Sequence, residues 1–143
     1  RWRDFKSPET AGAGRLIIYS GIITYFTSSS PLQKAFGNGL GSSQYILNDW
    51  INVPVVAHND FLEILLSGGI VGLLLYLLFL FFIGKEIRRS LKSKNIFSLA
   101  TIMAFVIYLI SAFVNGILYN ASALTYFACL LGVIIWQGKS ISE

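Results

Sequence analysis

The stretch FLEILLSGGIVGLLLYLLFLFFI, residues 61–83, decides how the chain must be read. Glu63 is its sole charge across 23 residues. At about 1.5 Å per residue a helix of this length reaches about 34 Å, enough to cross a bilayer's hydrocarbon core of about 30 Å with some tilt. Such a run offers no polar face to water. Asp60 and Glu63, three residues apart, read as N-cap and N3 of a capping box that opens the helix. Gly68 and Gly72 form a small-xxx-small face suited to close helix packing.

Downstream, Ile96 to Gln137 carries no charge at all. It reads as two further spans, 96–115 and 121–136, joined by an outer turn at 116–120. Between the first span (61–84) and the second lies a short connection, 85–95, holding Lys85, Arg88, Arg89, Lys92 and Lys94 against Glu86. Basic connectors stay on the cytoplasmic side. With residues 137–143 and Lys139 as a cytoplasmic tail, residues 1–60 become an outer loop. The expectation is an all-α, multi-pass transmembrane fragment whose outer loop contains a short interfacial helix.

Upstream, residues 1–14 are polar and rich in Gly and Ala, as a loop would be. RLIIYSGIITYFT, residues 15–27, is apolar but too short to span, which suits an interfacial helix; a re-entrant or tilted helix is the alternative. Residues 28–54 are punctuated by Pro31, the Gly37–Gly41 run and Pro54, and read as loop with short turns. Tyr45 and Trp50 suit the headgroup level.

The composition agrees. Charged residues make up 13% of the chain, against about 25% for soluble domains, and mean hydropathy is +0.66. The net charge of +4 is concentrated in the 85–95 connector, so no nucleic-acid partner is expected. The single Cys129 excludes an internal disulfide and is expected to pack inside its helix. The start, Arg1-Trp2-Arg3, has neither Met nor a signal-peptide pattern, as expected for a piece of a longer chain.

Few residues could carry chemistry. His58 at the outer mouth of the first span can accept a proton from a hydroxyl or hold a hydrogen-bond network; the plainer reading is that His58 and Asn59 cap the helix and meet water. Glu63 has an equally plain reading as a helix-start carboxylate. Arg15, opening an apolar helix, can grip a phosphate with two parallel bonds or snorkel to the headgroups. The Gly37–Gly41 run could form an anion nest, but lacks the Lys-Ser/Thr ending of a nucleotide loop. Asn115 and Asn120 could reach across helices or to a sugar, with turn chemistry the ordinary explanation. A single His and no carboxylate set leave no metal site in view.

The order HNDFLEILLSGGIVGL, with His58, Asn59, Leu62, Glu63, Gly69, Ile70, Gly72 and Leu73, resembles the family of O-antigen ligases and O-antigen or capsular polysaccharide polymerases. GAGRLIIY upstream resembles that family's Gly-Arg segment, and AFGNGLGS its Gly-rich loop; where members often carry Trp a turn after the Arg, Tyr19 stands here. The resemblance implies a multi-pass protein of the bacterial inner membrane, a glycosyltransferase that needs neither metal nor cofactor. Its donor would be a glycan on undecaprenyl diphosphate, and its acceptor a second such glycan (polymerase) or lipid A–core (ligase). It implies His58 and Arg15 as catalytic residues, with Arg15, Tyr19, Asn59 and Glu63 binding substrate or fixing the His58 loop. Membrane lipids and other helices of the parent chain would be the remaining partners. A transporter or flippase of lipid-linked glycans would instead show paired broken helices lining a path.

Overall fold

The structure, a computed structural model, describes residues 14–51, 55–90, 96–118 and 120–140. Among them there are helices and no strands: α1 (Arg15–Ser28), α2 (Pro31–Phe36), α3 (Ser42–Ile51), α4 (Asp60–Ser90), α5 (Ile96–Val114) and α6 (Ala121–Ser140). The all-α expectation holds. The 1–13 loop and Lys92 and Lys94 of the connector lie outside the described residues. The chain divides into two compact units, Arg1–Leu74 and Leu75–Glu143.

In the first unit α1 buries Ile18, Gly21 and Ile22, a spacing that lines one side of a helix. Ile18 and Ile22 join Leu47 of α3, Ala57 just before α4 and Leu66 of α4 in a small core. Ile22, Leu47 and Leu66 are fully buried; each such side chain is worth roughly 1.5–3 kcal/mol in removed apolar surface. Gly21 and Ser43, both buried and small, allow α1 and α3 to approach.

The reading of residues 28–54 as loop is corrected, because α2 and α3 lie there. Ser30 and Gln33 form a reciprocal capping box. The Gln33 N–H donates to Ser30 Oγ at 3.3 Å, and the Ser30 N–H donates to Gln33 Oε1 at 3.1 Å. Pro31 sits at the first helical position, where its missing N–H costs nothing. The Gly-rich run is therefore a short bridge between two helices.

α4 is broken. Gly69 has φ 65 and ψ −161, a combination essentially confined to glycine. The break frees the preceding carbonyls, and a loop from upstream fills them. The Asn38 N–H donates to the Leu66 carbonyl at 2.8 Å and the Gly39 N–H to the Ser67 carbonyl at 2.9 Å. Asn38 Nδ2 adds a second donor to Leu66 at 3.2 Å. On the expected small-residue face, a Cβ on Gly68 would meet nothing within 4 Å and one on Gly72 only Ile64 of its own helix, so among the described residues no other helix packs there. A Cβ on Gly69 would strike the Ala35 carbonyl, and one on Gly37 the Ser67 carbonyl.

The second unit holds the rest of α4 with α5 and α6. Tyr76 and Tyr108 share a hydroxyl–hydroxyl hydrogen bond at 2.9 Å. Tyr108 also stacks on Phe127 with ring centroids 3.8 Å apart. The α5–α6 turn is ordinary turn chemistry: the Asn115 and Gly116 N–H groups return to Ser111, and Asn120 Oδ1 caps α6 by accepting from the Ala123 N–H at 3.1 Å. α4 continues helically to Ser90, so Lys85, Arg88 and Arg89 lie on its last turns rather than in a loop. Nothing in Gly84–Ser90 breaks a helix, and cations suit its C-terminal end. Cys129 is exposed, not packed.

Among the described residues one helix, Asp60–Arg89, is long and apolar enough to cross a membrane. Only 17% of its apolar window is buried, unlike the core helix of a soluble protein. The other apolar helices, Leu99–Val114 and Ala121–Val133, are shorter over the described residues.

Candidate functional site

The expected site residues all fall in the first unit, at two places along its core. Arg15 opens α1, and Tyr19 follows one turn later, half-buried against the Ile18–Ile22–Leu47–Ala57–Leu66 cluster. Ala57 belongs to that cluster and is followed directly by His58. The packing of α1 thus sets Tyr19 against the core that also anchors the His58 segment.

His58 has φ 51 and is the one non-glycine residue with positive φ among the described residues. A left-handed backbone costs a side-chain-bearing residue roughly 1–2 kcal/mol, and persists only where the surroundings over-determine it. Those surroundings are on both sides. Before it, the Ala57 N–H donates to Glu63 Oε2 at 3.2 Å. After it, Asn59 is buried and caps α4: its Oδ1 accepts from the Leu62 N–H at 3.1 Å and its carbonyl from the Glu63 N–H at 3.0 Å.

The N-cap therefore lies one residue before the expected Asp60–Glu63 pair. Asn59, not Asp60, is the N-cap, and Glu63 stands at N4 with its carboxylate turned back to the loop. Asp60 is the first helical residue and is 1% exposed. Glu63, 4% exposed, holds the His58 loop in shape. Ser67 Oγ donates to the Glu63 carbonyl one turn on.

The two expected catalytic side chains differ from these. Among the described residues neither the Arg15 guanidinium nor the His58 imidazole has a hydrogen-bond or ion-pair partner, and no bond joins them. Both residues are half-buried.

Asn38 is the residue that sequence reasoning missed. Besides donating to Leu66, its Oδ1 accepts from Tyr25 OH at 3.1 Å and Gln33 Nε2 at 3.0 Å. One side chain thus ties α1, α2 and the α4 break together. Its place between two glycines was the available signal. A cleft of about 380 Å³ between α5 and α6, lined by residues such as Tyr108, Ser111, Tyr126 and Leu130, contains none of the expected site residues. Among the described residues no group of three or more His, Cys, Asp and Glu could hold a metal ion.

Scans against protein-family models, curated proteins and solved structures find nothing that matches this chain.

Proposed function

We propose that this chain is part of a multi-pass bacterial inner-membrane glycosyltransferase that polymerises undecaprenyl-diphosphate-linked glycan units at the outer face. The observation that carries the reading is His58. A side-chain-bearing residue is held left-handed between a buried Ala57 and a buried helix cap, and among the described residues its imidazole has no hydrogen-bond or ion-pair partner. Backbone strain of this kind concentrates at functional sites.

In this reading the acceptor sugar hydroxyl attacks the anomeric carbon of the donor. The bond from that carbon to the diphosphate oxygen breaks, and the hydroxyl proton passes to His58, which also orients the attacking oxygen. The departing diphosphate gains negative charge, and the Arg15 guanidinium, without a partner among the described residues, matches it with two parallel donors. Glu63 and Asn59 are positioning residues: they fix the loop on either side of His58 rather than meet the sugar. Tyr19 sits a turn from Arg15, packed against the core. Both substrates are membrane-anchored, so confinement supplies much of the rate.

A ligase with lipid A–core as acceptor would use the same residues. The broken α4 favours a second class, a transporter or flippase, since discontinuous helices mark such proteins. Against it, the carbonyls freed at Gly69 are occupied by Asn38 and Gly39 rather than left open for cargo. The test is replacement of His58 and Arg15 separately by Ala in the full-length protein in cells, with glycan chain length read on gels. Loss of long chains at normal protein level is expected for both; unchanged chains would sink the proposal. Accumulated short lipid-linked glycan on the outer face excludes the flippase reading, because export has then already occurred.

A further inference from the structure

The break in α4 fixes the depth of a second element. From Ile70 to Gly84, where the first basic residue follows, the apolar run is 15 residues, or about 22 Å of helix, short of a hydrocarbon core of about 30 Å. The missing length must come from upstream of the break, which puts the Leu66 and Ser67 carbonyls inside the hydrocarbon. Their donors, Asn38 and Gly39, then lie there too.

The polarity of residues 31–43 is inverted accordingly. Gln33 and Asn38 bond to each other, and Asn38 to Tyr25 and Leu66, while Ser42 and Ser43 are buried. The apolar side chains point outward: Leu32 is 70% exposed, Phe36 62% and Leu40 98%. Lys34 is the sole charge between Pro31 and Asn48, on a stem long enough to snorkel. Water would reverse this arrangement. The outward faces of α1 (Leu16, Ile23) and of α4 (Ile70, Leu74) are apolar as well. A protein partner covers one patch, whereas apolar exposure on three elements calls for a solvent.

We infer that α2 and the glycine loop form a re-entrant element inserted in the leaflet that α4 enters first, with Leu32, Phe36 and Leu40 in contact with lipid acyl chains. The inference rests on α4 crossing the bilayer. Within a leaflet, irregular backbone survives only where its polar groups are met by protein; Asn38 supplies that at the break, and α3 leads the chain back to water through Gln44, Asn48 and Asp49, all exposed.

The experiment is spin labelling of Leu40→Cys, Leu74→Cys and Gln44→Cys, each in a Cys129→Ser background, in the full-length protein reconstituted in liposomes. Collisions with oxygen report lipid, and collisions with a nickel chelate report water. The expected result is loss of nickel collisions at Leu40→Cys to the level at Leu74→Cys, with high oxygen collisions at both and nickel access at Gln44→Cys. Nickel access at Leu40→Cys with Leu74→Cys in lipid would overturn the re-entrant element and leave the span standing. Nickel access at both would overturn the span and the inference with it. Low collisions with both reagents at Leu40→Cys would mean that another helix or a second copy covers the loop, which also overturns lipid contact.

Discussion

Gly69→Ala is the substitution that the fold should tolerate least. The backbone at φ 65 and ψ −161 is nearly closed to any other residue, which alone costs about 1–3 kcal/mol. A Cβ there would strike the Ala35 carbonyl and come within 2.6 Å of the Gly37 nitrogen. Both are backbone atoms that cannot rotate aside, so the loop must move off. The three bonds from Asn38 and Gly39 to Leu66 and Ser67 would then be lost, at about 1 kcal/mol each. Straightening α4 through residue 69 would restore helical bonds and offset part of this. The net expectation is about 3 kcal/mol against the docked loop, or roughly a hundredfold faster hydrogen exchange at the Asn38 and Gly39 amides. Gly68→Ala is the control, since its Cβ meets nothing within 4 Å and the backbone there is not left-handed. Hydrogen exchange of residues 36–42 in nanodiscs makes the comparison. Equal exchange in the two variants would refute both the break and the docking.

Two further outcomes follow from the same geometry. His58→Gly should be more stable than His58→Ala by about 1 kcal/mol in detergent unfolding, because only glycine relieves the left-handed strain; equal stabilities would mean that His58 is unstrained. Tyr76→Phe and Tyr108→Phe should each cost about 1 kcal/mol, and the double variant less than the sum of the two, since both single changes remove the same hydroxyl pair. Losses that add fully would show no coupling between the two hydroxyls.

The sequence made the helical class plain, because long uncharged runs leave little else to build. It also marked the start of α4, although the cap fell one residue early. Asp and Asn both cap well, and only the structure shows that Asn59 takes the cap while Glu63 reaches back to Ala57. α2 was hidden by Pro31 and the glycines, which read as loop punctuation, yet Ser30 and Gln33 had the spacing of a capping box. The break at Gly69 was not legible. Two adjacent glycines in an apolar run fit a smooth, closely packed helix equally well, and what selects the break is a long-range partner, Asn38, distant in sequence. For the site, His58 and Arg15 could be named from residue type and resemblance. The strain at His58, and the fact that Glu63 and Asn59 are committed to holding its loop, arise from tertiary packing that no local pattern encodes.

Glycosyl transfer from a lipid diphosphate by His58 and Arg15 is the proposed activity. Its most direct measurement is polymer formation by the purified full-length protein, reconstituted with undecaprenyl-diphosphate-linked repeat unit as the sole substrate. Chains longer than the starting unit are expected, with free undecaprenyl diphosphate released alongside, and neither from His58→Ala or Arg15→Ala protein. Polymer made equally well by those variants, or no product from the intact protein even when lipid A–core is supplied, would contradict it.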